Sequence, residues 1–217
     1  MLLMTWLSYI VPVTRFKGIT RKGTLIEVRE IFGKKKLDLN GYPQSNPSYV
    51  HHWKNIFTSA NIVDLPTKSK ILVLGLGGGD IARILEGINA NWHLTMIELE
   101  PEVVVVAKQY FGITDTVHRS IVVANAKKYM ESNIKKYALV IVDLYNGDSI
   151  PTFVISNKFL VNVRHALRKE GLAIFNYASH SFRDNDFSLF ESKLNKIFSK
   201  VIKKVYWGHT FYIAYQC

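Results

Sequence analysis

The sequence predicts an α/β fold: a mostly parallel sheet, one reversed strand in a C-terminal hairpin, and a small antiparallel β extension at the N-terminus. Three observations predict it. The run Ile71 to Leu74 is apolar without alternation, as a strand buried on both faces must be. Gly75, Gly77, Gly78 and Gly79 follow at once, and a helical pattern begins at Asp80. From there apolar strands alternate with amphipathic helices, the order that builds a parallel sheet through crossover helices.

The glycines have a physical role, because residues without Cβ let backbone N–H groups and a helix N-terminus come close to a ligand. A second apolar strand, His93 to Ile97, ends on Glu98, where a carboxylate can accept both hydroxyls of a ribose. Strand, glycines, helix, strand and acid in this order read as a nucleoside-binding βαβ half. A dinucleotide fingerprint would place a third glycine where Asp80 stands, which weakens a nicotinamide reading. S-adenosyl nucleosides use the same strand ends.

At 217 residues and 48% hydrophobic content, the chain holds one α/β domain with a small appendage. Its formal charge of +11 favours anionic surroundings and argues against a small polycationic substrate. A nucleic-acid partner is suggested by that charge alone: the lysines fall in short scattered groups, and no RNA-binding module is legible. The one cysteine, Cys217, excludes an internal disulfide and a cysteine metal cluster, and the expected compartment is the reducing cytoplasm. The apolar run from Met1 to Val13 is too short to span a bilayer and contains Pro12; it reads as a buried first strand, with a membrane role disfavoured.

In order along the chain, Ser8 to Asn40 suggests two or three antiparallel strands, with Thr24 to Ile31 and Lys35 to Leu39 paired across Phe32-Gly33-Lys34. A helix from Pro47 to Asn61 follows, capped by Asn46, with Tyr49, Trp53 and Ile56 on one face. Asn46-Pro47-Ser48-Tyr49 has the N-P-x-Y form used by amino-directed DNA methyltransferases, but capping accounts for Asn and Pro, and the segment precedes the glycines instead of following them. His51 and His52 are adjacent, point to different sides of the helix and lack a third ligand, so they read as surface histidines, and no metal is expected. Beyond Glu98 the expected elements are helix Pro101 to Tyr110, strand Ser120 to Ala124, helix Ala126 to Glu131 and strand Ala138 to Val142, which ends on Asp143. A polar loop leads to helix Asn157 to Arg168 with Ser156 as its cap, strand Leu172 to Tyr177, helix Phe187 to Phe198 and the hairpin Val201 to Trp207 with Thr210 to Tyr215. Ligands of such sheets sit beyond the carboxyl ends of the strands, which singles out Gly75 to Gly79, Glu98, Asn125 and Asp143.

These strand ends resemble the Rossmann-like class I S-adenosylmethionine-dependent methyltransferase fold and, more narrowly, the spermidine synthase family of aminopropyltransferases. The segments that carry the resemblance are LDLNGYPQS, LVLGLGGGDIARIL, MIELEPEVVVVAKQYF, the ANA tripeptide and VIVDLYNG. It implies residues 1–45 as a β extension and 46–217 as a Rossmann-like nucleoside-binding catalytic domain. The implied donor is S-adenosylmethionine or its decarboxylated form, cradled by Gly75, Gly77, Gly78, Gly79 and Asp80. Glu98 with Leu99 would hold the ribose, and Asn125 with Ala126 would face the adenine. Asp143 would stand beside the sulfonium and the acceptor amine. Gln44 and Tyr49 would close the acceptor side, and Tyr145 would shape the mouth. The N-terminal sheet is similar to the family's dimerising extension, which suggests a homodimer.

Two departures from the family pattern concern acids. An ungapped match anchored on Arg83 and Glu98 puts Gly78 where the family has aspartate, and Asn146 replaces the second acid of the D-x-x-D loop. A decarboxylated donor and a polyamine are both cationic at the reacting end, whereas the tail of S-adenosylmethionine carries a carboxylate that suits backbone N–H groups. The expected reaction is therefore methyl transfer to an amine-type acceptor, small molecule or protein, with Asp143 as base or orienting acceptor. The alternatives are aminopropyl transfer to putrescine and a nucleoside-binding or RNA-associated protein without chemistry.

Overall fold

The computed structural model describes residues 6–45, 47–147, 149–178, 184–206 and 208–216. Among them the main sheet has seven strands: β5 (Lys70–Leu74), β6 (His93–Glu98), β7 (Arg119–Val123), β8 (Tyr137–Val142), β9 (Leu167–Ala178), β10 (Lys200–Tyr206) and β11 (His209–Tyr215). Their order is β10-β11-β9-β8-β5-β6-β7. The pairings from β9 to β7 are all parallel, and β11 is the one reversed strand, antiparallel to both β9 and β10. The chain leaves β5 toward β6 and β7, then returns to β8 on the other side, so the reversal of order falls at β5.

Helices cover both faces. On one lie α1 (Pro47–Ser59), α2 (Asp80–Ile88) and α3 (Pro101–Phe111); on the other lie α4 (Ala126–Ser132), α5 (Asn157–Ala166) and α6 (Asp184–Ile197). This explains the uninterrupted apolar run of β5. Ile71 and Val73 pack with Trp53, Ala82 and Leu85 on one side, while Leu72 and Leu74 pack with Met130, Leu160 and Val163 on the other. These four β5 side chains, Ile71 to Leu74, are fully buried, each contributing about 1.5–3 kcal/mol of apolar transfer.

The N-terminal sheet is antiparallel, in the order β1 (Val13–Ile19), β2 (Leu25–Ile31), β3 (Lys34–Leu39), β4 (Tyr42–Ser45). Its buried Ile26, Val28 and Leu37 pack against Val103 and Val106 of α3. The fourth strand exceeds the two or three expected. Its signal was Asn40-Gly41, both at positive φ (51° and 82°), the pattern of a two-residue hairpin turn.

Several expectations are corrected. Over its described residues the first apolar run is not a buried strand: Trp6 and Ile10 are 74% and 81% exposed, and β1 begins only at Val13. Pro12 lacks the N–H a ladder needs, and residues 6–11 are instead tied to the β2–β3 turn by Phe32 N–H donating to the Ser8 carbonyl. His52 is buried, not a surface residue, whereas His51 is exposed. The α5 helix does receive its cap from Ser156, whose side chain accepts from Phe159 N–H. It stops at Ala166, however, and β9 starts immediately at Leu167, five residues before the expected Leu172. Glu170 at φ 60° and Gly171 absorb the irregularity between the Tyr137–Leu167 and Leu139–Leu172 pairs. The Asn46 cap, Trp207 and Cys217 lie outside the described residues.

Candidate active site

A cavity of about 830 Å³ opens at the carboxyl ends of β5, β6 and β8, where strand order reverses. Of the residues singled out from the sequence, Gln44, Tyr49, Gly75, Gly77, Asp80, Glu98, Leu99, Asn125, Ala126, Asp143 and Tyr145 line it. Gly78 and Gly79 do not. Lys22 and Thr24 of the β1–β2 turn, Trp53, Asn176 and His209 also line it, and sequence reasoning missed them.

One end of the cavity is built largely by the backbone. Gly75 has φ 103°, and a Cβ there would stand 2.1 Å from the Asp143 carbonyl oxygen, so the turn leaving β5 closes only with glycine. Gly77 similarly backs against the Gln44 carbonyl, 2.9 Å from where its Cβ would lie. Glu98 accepts three backbone N–H bonds: Leu99 at 2.7 Å and Glu100 at 3.0 Å on Oε1, and Leu76 at 3.2 Å on Oε2. Burial raises its pKa, and those bonds oppose the rise. The carboxylate thus ties the ends of β5 and β6 together and still has acceptor capacity toward the cavity. Thr24 Oγ1 donates to Glu100 Oε1 at 2.8 Å, which brings the N-terminal sheet to the same end. Asn125 caps α4, its Oδ1 accepting from Lys128 N–H at 3.2 Å, so the oxygen assigned to the adenine amine already has one partner.

Gly78 does not carry the meaning the sequence suggested. A Cβ on it would meet the Ser45 side chain at 2.6 Å and Phe111 at 3.3 Å, so this position faces β4 and α3 instead of the cavity. Asp80, two residues on, is the acid that lines the cavity. Ser45 Oγ donates to Asp80 Oδ2 at 2.6 Å, and Arg83 pairs with Asp80 Oδ1 at 2.5 Å. The first turn of α2 brings Asp80 to the cavity in the ungapped register, two residues beyond the position where the family pattern places its acid. The loss of acid at Gly78 is thus no reason to prefer an anionic donor tail.

The other end is built by side chains from distant segments. Asp143 follows β8, and its backbone N–H extends the β5 ladder to the Leu74 carbonyl at 2.9 Å. Its carboxyl is enclosed, and burial pushes the pKa up to about 6; nearby Asp80 adds to the rise, and a hydrogen bond from Asn176 opposes it. That bond, Asn176 Nδ2 to Asp143 Oδ1, is 2.8 Å long. His209 Nδ1 lies 3.3 Å from Asn176 Oδ1. The Tyr49 ring meets His209 edge-on at 5.1 Å, and burial followed by Asp143 raises the Tyr49 phenol pKa. The Val142–Phe175 pair sets Asp143 beside Asn176, a proximity that only the strand order discloses. Tyr145 and Asn146 border this end. Among the described residues no group of three or more His, Cys, Asp or Glu side chains could hold a metal ion.

Fold and cavity together define a Rossmann-like α/β protein with a ligand-sized site at the switch point of its sheet. The family model for the spermine/spermidine synthase domain matches residues 52–212, and the chain belongs to that family. A polyamine aminopropyltransferase of Vibrio vulnificus is 24% identical over 161 residues, 72% of this chain and 53% of that protein. One from Sulfolobus acidocaldarius is 24% identical over 215 residues, 91% of this chain and 71% of that protein. The chain therefore spans between about half and seven-tenths of the length of these two relatives. Among solved structures, a probable spermidine synthase from Corynebacterium glutamicum superposes with a TM-score of 0.76 at 18% identity, covering 94% of this chain and 79% of that one. Both curated relatives are aminopropyltransferases by name, which is the alternative raised from the sequence, and neither is named a methyltransferase.

Proposed function

We propose that this chain transfers an aminopropyl group from decarboxylated S-adenosylmethionine to the primary amine of a polyamine-type acceptor such as putrescine. The observation that carries the reading is the pair of carboxylates, Asp80 and Asp143, facing one cavity beside the glycine turn. A cationic propylamine tail and a cationic acceptor can then each meet a carboxylate, with Arg83 holding Asp80 from outside the cavity lining. The names of the relatives support the same choice.

In the reaction the acceptor nitrogen attacks the propyl carbon bonded to sulfur. An N–C bond forms, the C–S bond breaks, and its electron pair leaves the sulfonium as a neutral thioether. The protein supplies alignment and a place for the proton. Asp143, ionised above about pH 6, orients the amine and takes its proton as the forming bond acidifies it. Glu98 is assigned to the ribose and Asn125 with Ala126 to the adenine. Residues 1–45 act in this reading as a unit whose Lys22 and Thr24 close the ribose end.

Calorimetry with both donors and mass spectrometry of products formed with putrescine test the proposal. Tighter binding of the decarboxylated donor and a propylamine adduct are expected. A methylated product formed from S-adenosylmethionine, without the adduct, would return methyl transfer to first place, and bound nucleoside without turnover would argue for a protein that has lost the chemistry.

A further inference from the structure

We infer that His209 is a positioning residue for the proton-accepting carboxylate: acting through Asn176, it holds Asp143 in the orientation and charge state that receive the acceptor amine. The inference rests on the role given to Asp143 above.

The sheet register brings the three residues into a row. Val142 pairs with Phe175, so Asp143 and Asn176 follow side by side on β8 and β9. Asn176 pairs with Phe211, and His209, two residues earlier on β11, lies on the same face. Asn176 is the two-ended member, because its carboxamide donates at one end and accepts at the other. With Nδ2 donating to Asp143 at 2.8 Å, Oδ1 is turned to His209 Nδ1 at 3.3 Å. An amide oxygen can only accept, so this contact is a hydrogen bond only in a His209 state that carries a hydrogen on Nδ1.

That tautomer chooses between two amide orientations. The opposite one would press Asn176 Oδ1 against a carboxylate oxygen, which is repulsive when Asp143 is ionised and tolerable only when Asp143 is protonated. A donor at His209 Nδ1 therefore favours the orientation that stabilises ionised Asp143. The imidazole is itself held by its neighbours. Tyr49 meets it edge-on, His52 approaches at 5.8 Å, and Phe211 stacks at 6.2 Å. Among the described residues the titratable groups around the row include Tyr49 and His52 from α1, Asp80 from α2, Tyr145 beyond β8 and Tyr206 from β10, which stacks on His52. Burial, followed by His51, lowers the His52 pKa, which favours a neutral imidazole at that position beside the His209 ring.

The test follows Asp143 directly, by carboxyl carbon NMR of the ligand-free protein, alongside the pH dependence of kcat/KM. In His209→Leu the Asp143 midpoint should move up from about 6 by roughly half to one pH unit, so that the ionised fraction below the midpoint falls about three- to tenfold. The ascending limb of kcat/KM should move with it. His209→Gln, which keeps an N–H donor, should restore most of the shift, an outcome that a merely structural histidine would not give. Ring-nitrogen shifts of the wild-type protein should place the His209 hydrogen on Nδ1, a measurement that needs no variant to fold. An unmoved Asp143 midpoint in His209→Leu, or a hydrogen on Nε2 alone, overturns the inference. Since the NMR readouts need no turnover, a wild-type protein that transfers aminopropyl groups with an unmoved midpoint sinks this inference alone. A moved midpoint in a protein without transfer sinks the functional reading alone.

Discussion

The two ends of the cavity are made in different ways. At the end proposed for the ribose the parts are close in sequence: Gly75 and Gly77 leave one strand, Glu98 ends the next, and the carboxylate is held by backbone N–H groups of Leu76, Leu99 and Glu100. At the transfer end, Tyr49, Asp80, Asp143, Asn176 and His209 come from five separate elements or their ends and meet only after the sheet has formed. An end made from backbone tolerates side-chain change around it, whereas an end made from side chains depends on each partner's angle.

Substitutions can break or sharpen this contrast. The largest effect is expected from Asp143→Asn: turnover should fall about a hundredfold or more while thioether nucleoside affinity, measured by calorimetry, stays close to wild type. Equal losses in both would mean that the two ends are not separable. The same variant should be more stable than wild type at pH 7. Burial raises the carboxyl pKa from 3.8 to about 6, so the folded state binds more proton than the unfolded one, and stability from this group falls as pH rises from about 4 to 6. The expected gain is about 1–3 kcal/mol above pH 6, vanishing below pH 4, as read by denaturant melts at several pH values.

Glu98→Ala should lower nucleoside affinity by roughly thirtyfold and destabilise the fold by about 1–3 kcal/mol, because three backbone N–H groups lose their acceptor. An unaltered affinity would remove the ribose assignment. For the wild-type enzyme, kcat/KM should rise with pH through a limb near 6 and lose about fivefold between pH 6 and 5 beyond the roughly twofold loss at the midpoint. A flat profile would separate Asp143 from the proton transfer. The smallest effect belongs to Asp80→Asn: preference for the decarboxylated donor should shrink about three- to tenfold, since Arg83 already offsets part of the Asp80 charge. An unchanged preference would locate tail recognition elsewhere.

Legibility in the sequence follows the same division. The apolar run of β5, the glycines and Glu98 were readable because the chain itself sets their spacing. The strand-ending Asp143 was readable for the same reason. Asn176 and His209 were not, because a lone Asn at the end of β9 and a lone His at the start of β11 carry no spacing signal. Only the order β11-β9-β8 brings them together. Gly78 misled for the converse reason: its position in the motif was taken for a position in space, yet its missing Cβ faces Ser45 while Asp80 reaches the cavity. The first apolar segment misled because hydrophobicity was taken for burial, although Trp6 and Ile10 point outward.

The contact of Gly75 with the Asp143 backbone has one more consequence. Because a Cβ at Gly75 would fall 2.1 Å from the Asp143 carbonyl oxygen, the turn that leaves β5 and the backbone that carries Asp143 form a single close-packed joint. A lineage that changes its acceptor cannot retune that joint in small steps, since any side chain at Gly75 displaces both halves at once. Diversification is left to parts outside the joint: α1 with Tyr49, the polar segment beyond Leu144, and the hairpin that carries His209.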